Sequence, residues 1–105
     1  MEIQFDKDYL RDLFYDGKCY DKKHRFQKQI IKNYIDRINL LESVDEIEEL
    51  FRYNSLHLEA LQGDKKGEFS VRINNQYRLE FSVKKSEDQV TVSICNIMEL
   101  SNHYK

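Results

Sequence analysis

The hydrophobic period of this chain changes once, near Tyr53, and that change limits what it can fold into. Before it, Phe26, Ile30, Ile31, Tyr34, Ile35, Ile38 and Leu41 recur every three or four residues, the spacing of one helix face. After it, apolar residues alternate with polar ones: Leu56 and Leu58, then Phe69, Val71 and Ile73, then Tyr77, Leu79, Phe81 and Val83, then Val90, Val92 and Ile94. Helices followed by a meander of strands predict an α+β domain, with helices packed on one face of a four-stranded, largely antiparallel sheet and the other face left free. At 105 residues, with no proline, repeat or linker-like stretch, the chain reads as a single domain over residues 1–105.

Earlier elements follow from local signals. Ile3 and Phe5 suggest a short extra strand at the start. Asp6 or Asp8 can cap a helix through Tyr9, Leu10, Leu13 and Phe14 that ends near Gly17. The long amphipathic helix is expected over residues 21–41. Ser43 followed by Glu46 has the spacing of a capping box, which predicts a short helix through Ile47, Leu50 and Phe51.

Composition excludes several classes. Hydrophobic residues at 40% and aromatics at 12% rule out a disordered chain. No apolar run approaches the roughly 18 residues of a membrane span, and the opening residues resemble no signal peptide, so a cytoplasmic location without membrane contact is expected. Cys19 and Cys95 lie outside any zinc-ligand spacing and read as reduced thiols, and neither a metal nor a cofactor is expected. A net charge of −2 argues against a global positive field, so any nucleic-acid surface must be local. The basic residues Lys65, Lys66, Arg72, Arg78, Lys84 and Lys85 fall in the strand region. His24 is expected at a solvent-facing helix position without a role.

Strand register places two of these charges together. A two-residue turn at Asn74 and Asn75 would oppose Val71 to Arg78 and mix charge with apolar burial. A three-residue loop instead pairs Ile73 with Tyr77, Val71 with Leu79 and Phe69 with Phe81, with asparagine available for a left-handed position. The same register sets Arg72 opposite Arg78 on the outer face, with Ser70 and Glu80 as the next pair. Two opposed guanidiniums repel in water. They read either as splayed surface arginines screened by Glu80 or as a two-pronged clamp for a phosphate.

These residues lie in the stretch LQGDKKGEFSVRINNQYRLEF, residues 61–81. It resembles the HigB-like plasmid-maintenance killer proteins of the RelE superfamily, toxins of type II toxin–antitoxin systems, whose signature reads roughly L-K-G-D-(R/K)-x-G-(Y/W)-(W/Y)-S-(V/I)-x-(V/I)-x-x-(N/Q)-(W/Y)-R-(L/I)-x-F. The resemblance implies a RelE-like fold and a ribosome-dependent mRNA endonuclease, an mRNA interferase that inhibits translation by driving a ribose 2′-OH onto the adjacent phosphate. It also implies an antitoxin partner, typically a helix-turn-helix, HigA-like DNA-binding protein, so that DNA contact belongs to the partner and the toxin itself meets ribosome and mRNA.

Carried over by position, the resemblance matches its arginine to Arg78, and a basic residue of the preceding strand to Arg72. Its H-P-L-K-G-D segment aligns with Glu59 to Asp64, so the family histidine is Glu59 here and the family lysine is Gln62. A glutamate can serve as base, and strand alternation would bring His57 to the same face, either as a substitute imidazole or as an ordinary surface histidine. At the C-terminus His103 is the candidate imidazole and Tyr104 a ring for base stacking, unless both belong to a frayed tail; Glu99 stands near the family aspartate. Lys65 and Lys66 read as RNA phosphate contacts or as loop solubility residues. Two other readings stay open: a catalytically inactive homologue that only binds its antitoxin, and a ribosome-independent ribonuclease.

Overall fold

The computed structural model describes residues 1–65, 67–85 and 93–102. In chain order it contains β1 (Glu2–Phe5), α1 (Asp8–Asp16), α2 (Lys28–Ser43), the 3₁₀ helices Ile47–Arg52 and Asn54–Leu56, β2 (Glu59–Ala60), a 3₁₀ turn Gly63–Lys65, β3 (Glu68–Arg72), β4 (Tyr77–Lys85) and β5 (Ser93–Asn102). The strands form one five-stranded sheet in the order β1-β5-β4-β3-β2, antiparallel except for β1, which runs parallel to β5. The suggested N-terminal strand is therefore the sheet's fifth member. Expected strand positions Val90 and Val92 lie outside the described residues.

The register of the central hairpin is the one that burial selects. Ile73 N–H donates to Tyr77 O at 3.0 Å, and Phe69, Val71 and Arg72 pair with Phe81, Leu79 and Arg78. Val71, Leu79 and Phe81 are fully enclosed, Ile73 nearly so, and Phe69 and Tyr77 are half-buried. Leu10 and Leu13 of α1 and Tyr34, Ile38 and Leu41 of α2 close over this face, giving one core between helices and sheet. Tyr34 also donates its hydroxyl to Leu10 O at 2.8 Å, so its only polar atom is satisfied inside the core.

Several local expectations are corrected. No asparagine occupies a left-handed conformation at the hairpin; among the described non-glycine residues only His57 has positive φ, at 46°. The turn is held instead by the Asn74 carboxamide, whose oxygen accepts the N–H groups of Gln76 and Tyr77 at 2.8 and 2.7 Å. The long helix begins at Lys28 rather than near residue 21, because the Asp21 carboxylate takes the N–H of Lys23 at 2.7 Å and the ring of His24 at 3.0 Å. A side chain that bonds its neighbours' backbone in this way competes with helix formation. His24 is thus not on a helix; it stacks on Tyr9 with ring centroids 3.7 Å apart.

Caps shift in the same manner. α1 starts after Lys7, without a side-chain cap, whereas Gly17 ends it in the left-handed region at φ 70° as expected. The capping box belongs to Glu46 and Glu49, since Ser43 is still helical. Leu56 and Leu58 do not sit on a continuous strand: 3₁₀ bonds from Leu56 N to Tyr53 O and from His57 N to Asn54 O turn the chain, which drops Leu56 into the core.

On β5 the buried parity is Cys95, Ile97 and Leu100, with Ile94 half-buried on the other face. Phe81 opposes Ile97 while Glu80 opposes Glu99, so Met98 is an extra, bulged residue. This bulge lets Ile97 and Leu100, three positions apart, both face the core.

Replacing Asn74 with Ala removes both turn bonds and is expected to cost about 1–2 kcal/mol. Urea unfolding with an unchanged slope would show that the hairpin is weakened without altering the surface exposed on unfolding.

Candidate active face

Helices α1 and α2 pack on the inner face of the sheet, and the side chains of the outer face divide into two electrostatically different halves. One half lies toward the hairpin turn. Arg72 and Arg78 are opposite each other there, as the register requires. The Arg72 guanidinium is held by the Asn75 side chain, and its own backbone carbonyl accepts Arg37 Nε at 2.9 Å.

Arg78 is more tightly fixed. Its Nε donates to Ser70 Oγ at 2.8 Å, and its Nη2 donates to Ser70 O at 3.2 Å and to the carbonyl of His57. The side chain is only 13% exposed, and a Glu59 carboxylate oxygen lies 3.9 Å from Nη2. One edge of the guanidinium, Nε with Nη2, is therefore occupied within the protein. Among the described residues nothing engages Nη1, which retains two N–H donors.

In the other half two lysines are tied to carboxylates within the protein. Lys65 Nζ bonds Glu80 Oε1 at 2.9 Å, and Lys7 Nζ bonds Glu99 Oε2 at 2.7 Å. The second oxygen of Glu99 accepts the Tyr9 hydroxyl, whose own oxygen accepts Leu100 N–H at 3.2 Å. Partial burial pulls the Glu99 carboxyl upward, but the hydrogen bonds from Lys7 and Tyr9 outweigh it and hold the group below the usual carboxylate range. Burial, and then the bond to Glu99, push the Tyr9 phenol well above its ordinary value. Between these pairs lies a cleft of about 350 Å³ whose charged lining is Asp6, Lys7, Lys65, Glu68, Glu80 and Glu99. With both lysines paired to carboxylates, this part of the face has no strong field for an anion.

The predicted residues are thus only partly gathered. Arg72, Arg78 and Glu59 share the open face, and Lys65 lies on it but is tied to Glu80. His57 does not reach this face by strand alternation, since it occupies a left-handed turn; its backbone carbonyl, not its ring, meets Arg78. Lys66, His103 and Tyr104 lie outside the described residues. β5 ends at Asn102 opposite Tyr77, one position from the Arg78–Ser101 pair, so the strand leading to His103 finishes beside the arginines. Ser70 and Tyr9 were not singled out from sequence. Register alone puts Ser70 on the outer face, but nothing in the sequence signals that it is 2% exposed. No cluster of His, Cys, Asp and Glu suited to a metal ion occurs among the described residues. No described helix is long and apolar enough to cross a membrane.

With this geometry in hand, the chain matches over residues 3–95 the family model described as the RelE-like toxin of the type II toxin–antitoxin system HigB. Similar solved structures include a YoeB/ParE toxin from Agrobacterium tumefaciens, 20% identical, with a TM-score of 0.57 over 99% of this chain and 100% of that one. The YoeB–YefM complex from Staphylococcus aureus is 22% identical, with a TM-score of 0.56 over 99% and 98%. YafQ from E. coli is 11% identical, with a TM-score of 0.55 over 97% and 92%. These similarities establish a shared fold. No curated protein sequence matches the chain.

Because the folded value of Glu99 lies below its unfolded one, ionised Glu99 stabilises the fold above the ordinary carboxylate range. That contribution is lost as pH falls through the lowered value. Urea midpoints measured down through acidic pH should therefore fall less steeply in Lys7→Met than in wild type, because one of the bonds that lowers Glu99 is gone.

Proposed function

Since the chain belongs to the HigB family of RelE-like toxins of type II toxin–antitoxin systems, we propose that it cuts mRNA on the ribosome and so inhibits translation. The observation that supports this best is Arg78, fixed on the outer sheet face with Nη1 unengaged among the described residues and Glu59 beside it. In the proposed reaction the 2′-oxygen of a ribose bonds to the adjacent phosphorus while the P–O5′ bond breaks. Glu59 takes the 2′-OH proton, Arg78 Nη1 and Arg72 stabilise charge on the phosphorane, and an acid, which we assign to His103, protonates the leaving oxygen. The products are a 2′,3′-cyclic phosphate and a 5′-hydroxyl. Lys65 can serve RNA only by exchanging Glu80 for a phosphate, and Lys66 and Tyr104 are assigned to RNA contacts on the same basis of resemblance.

The net charge of −2 supports ribosome dependence, because the protein lacks a general field to gather RNA for itself. A ribosome holding mRNA in line supplies much of the positioning that an isolated nuclease must build. A cognate antitoxin, of the helix-turn-helix HigA kind, would silence the toxin in the cytoplasm. One similar structure is itself a complex, that of YoeB with YefM. A second reading is supported by the enclosure of Arg78: a guanidinium with one edge committed to its own chain fits equally a structural tie in an inactive, antitoxin-binding homologue.

One experiment separates them. Purified wild type is incubated with mRNA alone and with translating ribosomes, and 5′ ends are mapped. Ribosome-dependent cuts, reduced about 10²-fold or more in a folded Arg78→Ala, support the nuclease. Intact mRNA in every case, from well-folded wild type that still binds its antitoxin, supports the inactive homologue.

A further inference from the structure

Three features around Arg78 are unusual in combination. Ser70 is a hydroxyl residue only 2% exposed in the middle of an otherwise solvent-facing row. His57 is held at φ 46°, a conformation that non-glycine residues seldom adopt. Both direct oxygen acceptors at the same edge of one guanidinium: Ser70 Oγ on Nε, and the carbonyls of Ser70 and His57 on Nη2.

We propose that Ser70 and the left-handed turn at His57 form a positioning cradle that presents Arg78 to the scissile phosphate through Nη1. This inference rests on the nuclease reading above. The physical need is specific. Arg78 faces Arg72 across the hairpin, so an untethered guanidinium would swing away from its like-charged neighbour. An arginine side chain also has several soft torsions, and catalysis by charge stabilisation requires the donor to be in place before charge develops.

The cradle removes both freedoms. Three acceptors on Nε and Nη2 set the plane of the guanidinium and, among the described residues, leave the Nη1 N–H pair unengaged. The carbonyls and hydroxyl are neutral, so they orient the cation without cancelling its charge. A carboxylate hydrogen-bonded in their place would do so; Glu59 is ion-paired with Nη2 at 3.9 Å but stays outside hydrogen-bond range, where it can serve as the base. Ser70 thus acts through Arg78 and needs no contact with RNA.

The test compares wild type, Ser70→Ala, Ser70→Thr and Arg78→Ala in single-turnover cleavage of ribosome-bound mRNA, with thermal melts to verify folding. Ser70→Ala is expected to lose about 10-fold to 10²-fold in the rate at saturation, with half-saturation nearly unchanged. Ser70→Thr keeps the Oγ and should recover most of that loss. A nitrogen-15 NMR spectrum reads the cradle without relying on activity: the Arg78 Nε–H signal, protected in wild type, should be lost to solvent exchange in Ser70→Ala and retained in Ser70→Thr. Wild-type cleavage with an undiminished rate in Ser70→Ala overturns the cradle and leaves the nuclease standing. A wild type that cuts nothing overturns the nuclease, and with it the catalytic purpose of the cradle, even if the Nε–H signal is protected.

Discussion

The pairing of β3 with β4 is the constraint on which the remaining structure depends. Shifted by one residue, it would expose Val71 and Leu79 and bury Arg72 and Arg78, an exchange no compensating contact in this small domain could offset. The helices depend on it because Tyr34, Ile38 and Leu13 pack on the apolar rows that it assembles. The outer face depends on it because the same register sets two arginines opposite each other. Stability and the placement of charge are therefore two results of one pairing rule.

That shared origin explains why the cationic end of the face is so strongly constrained from within. The two arginines cannot be separated without loss of the core, so their repulsion is managed by local partners. Arg72 turns to Asn75 in the loop, and Arg78 turns to Ser70 and to the His57 carbonyl. At the opposite end the problem is solved by pairing, Lys65 with Glu80 and Lys7 with Glu99. Exposed pairs of this kind contribute little to stability, but they erase local potential around Glu80 and Glu99, whereas the arginines at the hairpin end keep theirs.

The sequence carried most of this architecture because alternation and register are properties of spacing alone. Phe69, Val71, Leu79 and Phe81 announced both their strands and their partners, and Gly17 announced the end of α1. What spacing could not reveal were competitions decided by single side chains. Asp21 captures the Lys23 N–H and delays α2 by a full turn or more; the 3₁₀ bonds at Tyr53 and Asn54 break what looked like a strand at Leu56; the bulge at Met98 reverses the parity of β5. The site suffers most from the second of these. Alternation carried His57 onto the open face, whereas the turn sends its carbonyl there. Ser70 was placed by register yet unremarkable by type, since its burial comes from Arg78 and the passing chain, neither visible in a local pattern.

The same features fit the proposed dependence on a ribosome. A free-standing ribonuclease must collect RNA by charge, orient it and supply each proton transfer. Among the described residues this face offers one rigid guanidinium with Nη1 unengaged, a second arginine engaged at a turn, and Lys65 and Lys7 paired with glutamates. Such a set suits stabilisation of one developing charge far better than capture of a flexible polyanion. Delivering the RNA already bound and bent removes the largest entropic burden from the toxin, and what then matters is the accuracy of one donor. The enclosure of Arg78 that would be a defect in an RNA-gathering surface is, for that division of labour, the property required.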